Sequence, residues 1–272
     1  MPKLRAFLLA LAFLGLTLLS IPIQWLSIRL KLKLQRSYPH AYHRLLCRMF
    51  GIRVTVVGRP IRDRGVLFAA NHAGYFDILV MSATMPVSFI GKKEVNTWPL
   101  FGLMARLQRT VFIDRQRRGD VGNARDVLRE RLRAGEALML FPEGTSTDGN
   151  HVLPFKSALM GAVEADIGTD ADGRKIYAPV QPVTISYVAM HGIPIGRENR
   201  PLYAWYGDMD LLPHVWEALK SGPLDVVVEF HDPLTIGPGR GRKQIAHEAE
   251  AIVRAGHIRV ARGDWGSTQT AA

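Results

Sequence analysis

Val66-Leu-Phe-Ala-Ala-Asn-His-Ala-Gly-Tyr-Phe-Asp77 decides the architecture of this chain. Five apolar residues, Val66–Ala70, run directly into a polar, glycine-containing turn, and apolar residues then recur at helical spacing over 75–84. A short apolar run bounded by turn residues reads as a strand buried on both faces, as in parallel sheets covered by helices. The pattern repeats outward from here. Strand-like runs occupy Val54–Val57, Val87–Ile90, Thr110–Ile113, Ala137–Phe141, Ile176–Tyr187, Leu202–Tyr206 and Leu224–Phe230. Helical spacing fits 37–50, 98–107, 119–133, 156–166, 211–220 and 241–261. The alternation predicts an α/β domain with a largely parallel central sheet flanked by helices, over residues 51–262. Asp166–Arg174 reads as a polar loop and 263–272 as a disordered tail. With 272 residues, nearly half of them apolar, the chain can bury one substantial core.

Residues 1–50 read as a membrane anchor followed by a basic interfacial segment. Ala6–Ile28 is 23 residues without a charge. As a straight helix it measures about 34 Å, enough to cross a bilayer. Pro22 is expected to break or kink that helix. Ala6–Ile21 alone reaches only about 24 Å, so a hairpin seated in one leaflet stands beside a full span. A cleaved signal peptide would carry a shorter apolar region ending in small residues. Here Trp25 and a basic run follow instead, and an uncleaved anchor is expected.

Charge supports the same reading. Residues 1–60 hold ten of the 35 Lys/Arg and none of the 24 Asp/Glu, so the net charge of +11 sits almost wholly beside the apolar segment. Such placement suits anionic lipid headgroups better than nucleic acid, whose enzymes spread basic surface through the folded domain. Two cations precede the apolar segment and eight follow it. The positive-inside rule then puts the folded domain on the cytoplasmic side of the inner membrane. The single cysteine, Cys47, excludes a disulfide framework and any multi-cysteine metal site.

Several catalytic signatures are missing from the sequence. There is no phosphate-binding G-x-x-x-x-G-K-[ST] loop and no G-x-S-x-G elbow, and Ala251 stands where a zincin helix beginning at His247-Glu248 would need its second histidine. Three segments remain, each at the C-terminal end of a predicted strand, where open α/β sheets bind ligands. In the first, Asn71 and His72 follow the strand, and Asp77 comes one turn later. A carboxylate can fix the tautomer of an imidazole and support the charge it gains as a general base. In the second, Thr110-Val-Phe-Ile-Asp-Arg115 ends in a guanidinium able to clamp an anion. In the third, Leu140-Phe-Pro-Glu-Gly-Thr-Ser146 turns tightly and offers backbone N–H groups and a carboxylate. Singly, each is also read as an ordinary turn.

Taken in order and spacing, Asn-His-x₄-Asp, Phe-Ile-Asp-Arg and Phe-Pro-Glu-Gly-Thr, with Val180-Gln-Pro-Val183 as a fourth block, resemble the glycerolipid acyltransferase family. The likeness covers roughly residues 50–235. It is greatest to bacterial 1-acylglycerol-3-phosphate and lyso-ornithine lipid acyltransferases. The resemblance implies that His72 is the base and Asp77 orients it. It also implies that Arg115 holds the acceptor headgroup and that Glu143, Gly144 and Thr145 line the acceptor site. The donor it implies is an acyl thioester of acyl-carrier protein or coenzyme A, with membrane lipids as partners and no metal or other cofactor. Two positions depart from the family pattern: Arg109 replaces a frequent glycine, and Ser146 replaces the arginine common in the lysophosphatidate enzymes. Lysophosphatidate is the leading acceptor on this reading and lyso-ornithine lipid the alternative. A membrane-tethered hydrolase and a non-catalytic lipid-binding protein are the rivals from other classes.

Overall fold

The computed structural model describes residues 2–114, 118–158, 160, 166–169, 172–236, 240–265 and 269–270. Two helices lead: α1 (Pro2–Arg29) and α2 (Leu34–Phe50). Then come β1 (Ile52–Val57), β2 (Val66–Ala70), α3 (Tyr75–Thr84), β3 (Ser88–Lys92), α4 (Phe101–Leu107), β4 (Val111–Ile113), α5 (Arg118–Arg133) and β5 (Ala137–Leu140). The second half contains β6 (Asp166–Thr169), β7 (Lys175–Tyr177), β8 (Val180–Met190), β9 (Ile193–Pro194), α6 (Leu211–Ser221), β10 (Leu224–Phe230), α7 (Arg242–Ala261) and β11 (Gln269–Thr270).

The main sheet has the order β11-β1-β10-β8-β2-β5-β3-β4, with β9 beside β8. From β8 through β2, β5 and β3 to β4 every pairing is parallel, and β1 is parallel to β10. The two parallel groups meet antiparallel at β8 and β10. β2 lies centrally and is buried along its whole length. Its side chains alternate between two cores, as the period of a strand requires. Phe68 and Ala70 join Phe76, Val80, Met81, Ile185 and Val228 on one face. Leu67 and Ala69 join Leu128, Leu138, Ile245 and Val253 on the other.

The structure corrects the sequence reading in several places. Pro22 does not end α1, which continues to Arg29. Tertiary contacts grip the helix on both sides of the proline. Thr17 Oγ1 meets Tyr42 OH at 2.7 Å before it, and Gln24 Nε2 donates to the Gln35 and Leu107 carbonyls at 3.0 and 2.8 Å after it. Residues 202–206, expected as a strand, form the end of a 3₁₀ turn (Arg200–Leu202) and an irregular segment. Pro201 sets the local φ for a turn, and Tyr203 and Ala204 bury themselves without a strand partner.

The long run 176–187 divides at Ala178–Pro179 into β7 and β8, because proline gives no N–H to a ladder. β7 instead pairs with β6, so the expected loop 166–174 begins as one arm of a hairpin. The expected helix 156–166 falls largely outside the described residues, and Asp166 already belongs to β6. Gln269 and Thr270, expected in a disordered tail, pair with Val56 and Thr55 at the sheet edge.

Candidate active site

At the C-terminal end of β2 the chain stops pairing through its backbone and begins pairing through side chains. Asn71 Nδ2 donates to the Ile185 carbonyl at 2.8 Å, and the Ile185 N–H returns a bond to Asn71 Oδ1 at 2.9 Å. The asparagine thus imitates one more rung of the β2–β8 ladder and fixes where the next residue emerges. That residue is His72. Its N–H donates to Glu143 Oε1 at 3.0 Å, and its carbonyl accepts the Thr147 N–H at 2.9 Å. Ala73 is anchored in turn, its carbonyl accepting the Trp205 N–H at 2.8 Å. Gly74 is required by proximity, since a Cβ there would stand 2.8 Å from the Trp205 nitrogen.

The imidazole is held as firmly as the backbone. His72 Nδ1 lies 2.8 Å from Asp77 Oδ2 and its ring stacks on Phe141, with centroids 4.0 Å apart and planes 15° apart. Asp77, on the first turn of α3, is 0% exposed. Its Oδ2 also accepts the N–H groups of Ala73 at 2.7 Å and Gly74 at 3.0 Å, and its Oδ1 accepts the Tyr187 hydroxyl at 2.7 Å. Four donors surround one buried carboxylate, which is how a charge is kept in a protein interior. With Asp77 accepting, His72 Nδ1 carries the proton and Nε2 presents its lone pair. Burial first, then the Asp77 charge, pushes the Tyr187 phenol well above its usual range, so it remains a donor.

Glu143 stands behind this loop. It is 1% exposed; Oε1 accepts His72 N–H and Oε2 accepts Leu153 N–H at 3.2 Å. Burial raises its carboxyl to about 8, against the downward pull of those two N–H groups. Gly144, Thr145 and Ser146 do line the adjoining cavity, as does His72, whereas the Glu143 carboxylate spans two backbone segments beneath it. Arg115 lies outside the described residues. Tyr187, Asn71 and Phe141 complete the site and were not singled out from sequence for these roles. The available signals were a hydroxyl on the inward face of an aliphatic strand and an aromatic residue directly before Pro-Glu-Gly.

The cavity encloses about 650 Å³, within the ~300–1,000 Å³ usual for small-molecule sites. Its walls come from α1, α2, α3 and α4, including Phe13, Leu46, Leu79 and Met104, and His72 opens onto it. An imidazole base backed by a buried carboxylate, at the edge of an apolar chamber, can deprotonate a hydroxyl attached to a long hydrocarbon. Among the described residues, no three His, Cys, Asp or Glu side chains come together as metal ligands.

The family described as Acyltransferase matches residues 53–186. A lyso-ornithine lipid O-acyltransferase of Brucella abortus is 43% identical over 93% of both chains, and one of Rhizobium meliloti is 39% identical over 89% of this chain and 82% of its own. A 1-acyl-sn-glycerol-3-phosphate acyltransferase of Neisseria gonorrhoeae is 34% identical over 73% of this chain and 72% of its own. Among solved structures, the 1-acyl-sn-glycerophosphate acyltransferase PlsC of Thermotoga maritima superposes with a TM-score of 0.63. At 24% identity it covers 98% of this chain and 100% of its own, a likeness of fold.

Proposed function

The chain belongs to the acyltransferase family, and from that premise we propose that it acylates the free hydroxyl of a lysolipid, with lyso-ornithine lipid as principal acceptor. The observation that carries the chemistry is the His72–Asp77 pair, 2.8 Å apart and opening on an apolar cavity. His72 Nε2 takes the acceptor's hydroxyl proton as that oxygen attacks the thioester carbonyl. The new C–O bond forms, the C–S bond breaks, and the imidazolium returns its proton to the departing thiolate. No cysteine or serine is required as an acyl carrier, so transfer is direct. Acyl-carrier protein or coenzyme A supplies the thioester. Arg115 remains the proposed headgroup contact.

The acceptor assignment reverses the order that motif chemistry alone suggested. Four relatives named as lyso-ornithine lipid O-acyltransferases match over 82–94% of their lengths. Ser146, where lysophosphatidate enzymes commonly carry arginine, lines the cavity. Ornithine presents one carboxylate and one ammonium, and so asks for fewer cations than a phosphate dianion. Purified enzyme given one acyl donor and each lysolipid side by side tests the assignment. Faster use of lysophosphatidate would overturn it while leaving the transferase reading intact.

The seating on the membrane follows from α1, whose best 18-residue window has a mean hydropathy of 2.4 and is only 17% buried. Leu8, Leu11, Leu18, Leu19 and Trp25 face outward, while Thr17, Ser20, Gln24 and Ser27 face the protein. Both halves of the helix touch the folded domain. Arg5 donates to the Leu219 and Phe50 carbonyls at 2.6 and 3.3 Å, and Gln24 to that of Leu107. A helix lying along its domain in this way fits burial in one leaflet better than a crossing, with the domain over residues 51–262 on the cytoplasmic side of the inner membrane. Membrane-impermeant labelling of a cysteine placed at residue 272 tests the side; labelling in intact cells would overturn it.

A further inference from the structure

Away from His72, one partly buried cluster holds more positive charge than its own partner neutralises. Glu136, immediately before β5, receives guanidiniums from three parts of the chain. Arg36, on the first turn of α2, reaches Oε1 at 3.0 Å, and Arg109, just beyond α4, reaches the same oxygen at 2.7 Å. Arg131, on α5, binds Oε2 through two nitrogens at 2.6 and 2.8 Å and donates to the Arg109 carbonyl at 2.7 Å. Three cations therefore surround one carboxylate. The charges acting on Arg131 are Glu136 and the two other guanidiniums; burial lowers its pKa first, and those two cations lower it further.

Two features suggest that this surplus is more than a clamp. Arg109 holds φ 60°, in the left-handed region that glycine enters freely and other residues rarely do. This chain thus keeps a guanidinium at a strained position. Arg36 is 49% exposed and meets Glu136 through one nitrogen alone, at an oxygen it shares with Arg109.

The location indicates what supplies the missing negative charge. Gln24 ties α1 both to Gln35 and to Leu107, so the α1–α2 turn, the start of α2 and the end of α4 meet at one corner. That turn exposes Leu30, Leu32 and Leu34 between Arg29, Lys31 and Lys33. Alternating leucines and snorkelling cations belong at the depth of lipid headgroups. We propose that Arg36 and Arg109, preorganised by Glu136 and Arg131, form a binding site for the phosphate of an anionic membrane phospholipid. The site rests on the reading that α1 lies in the membrane. A headgroup held between Arg36 and Arg109 would brace α2 against the end of α4. Both helices wall the cavity, so lipid binding would be felt in turnover.

Flotation of the full-length protein with phosphatidylcholine vesicles, with and without a minority of phosphatidylglycerol, separates the two readings. Binding to neutral vesicles reports the seating of α1; the gain on anionic vesicles reports the cluster. Each engaged guanidinium is expected to contribute about fivefold to that gain. Arg36→Gln should lose its share and the accompanying rise in turnover, with neutral-vesicle binding unchanged. Glu136→Gln, where it folds, removes the competing carboxylate and should enlarge the gain; where it does not fold, Arg36→Gln decides alone. Millimolar inorganic phosphate should not displace the vesicles. An undiminished gain in Arg36→Gln would overturn the site, as would its loss from Lys31→Gln/Lys33→Gln alone. Full competition by free phosphate would identify a soluble-anion site instead.

Discussion

The floor around His72 and the outer face of α1 obey the same physics with opposite signs. At the floor, polar atoms are buried and nearly every one has a partner: Asp77 accepts four hydrogen bonds, and both Glu143 oxygens are occupied. On α1, large apolar side chains such as Leu8, Leu11, Leu18, Leu19 and Trp25 are exposed, while Thr17, Ser20, Gln24 and Ser27 are buried. Apolar area goes wherever it avoids water. For the floor that place is the core, and for α1 it is lipid. The difference teaches that outward leucines on α1 are a statement about its surroundings, and inward polar atoms at the floor a statement about chemistry.

The largest test breaks the floor. His72→Ala removes the proposed base and should lower turnover by ~10²–10⁴, with thermal unfolding and membrane association unchanged. Asp77→Asn should come close to it, because the amide supports neither the Nδ1–H tautomer nor the imidazolium. Activity within threefold of wild type in folded protein would defeat the mechanism. The matching break on α1 is Leu11→Asp with Leu18→Asp, both on the exposed face. Each charge should weaken vesicle binding by about tenfold or more, leaving activity on detergent-dispersed substrate largely intact. The opposite change, Ser27→Leu on the inward face, should leave membrane binding alone and cost ~1–3 kcal/mol of stability by overpacking, read as a lower Tm.

Glu143 sharpens the comparison through pH. Its carboxyl is raised to about 8 by burial, so the fold favours the protonated form. The stability it contributes is therefore full below pH ~4.5, its unfolded value, and is lost as pH rises through 8. His257, lowered to about 4 by burial, acts in the other direction, gaining stability between pH 4 and 6.5. Subtraction of a Glu143→Gln variant isolates the glutamate. Wild-type Tm should fall between pH 6.5 and 8.5 by clearly more than the variant's. Equal slopes would show that Glu143 is ionised throughout and held by its two N–H donors alone.

How far the sequence could be read follows the same divide between pattern and depth. β2 and β10 were legible to the residue because both lie inside the sheet and carry unbroken apolar runs between turns. The contact between His72 and Asp77 was legible because five residues of separation place them across a single strand-to-helix turn. Residues 202–206 misled because Tyr203 and Ala204 are buried by packing without any ladder, a condition that composition does not distinguish from a strand. Glu143 was singled out, but its position beneath the loop was not foreseen, since motif order conveys neighbourhood and not which side of a wall a side chain occupies. Arg109 was noted as a departure from glycine, and its φ of 60° supplies the physical meaning of that departure. The contact between Tyr187 and Asp77 joins residues 110 apart in sequence, which no local pattern can register.

Tyr187→Phe is the smallest of the predicted effects and the most informative about how the floor works. The substitution keeps the ring within the core and removes only the hydroxyl that binds Asp77 Oδ1 at 2.7 Å. A hydrogen bond to a charged group contributes ~1.5–3 kcal/mol, but Asp77 retains three other donors, so the low end of that range is expected for stability. The kinetic effect depends on which property the hydroxyl supplies. By stabilising the carboxylate, it moderates the pull of Asp77 on the His72 proton; without it, Asp77 is more basic and holds the imidazolium more strongly. The acidic limb of the pH–rate profile should then move to higher pH, with a modest loss of turnover at neutral pH and acceptor KM unchanged. A purely structural phenol would lower Tm and leave the limb in place. That result would remove Tyr187 from the chemistry and leave Asp77 alone in tuning the base.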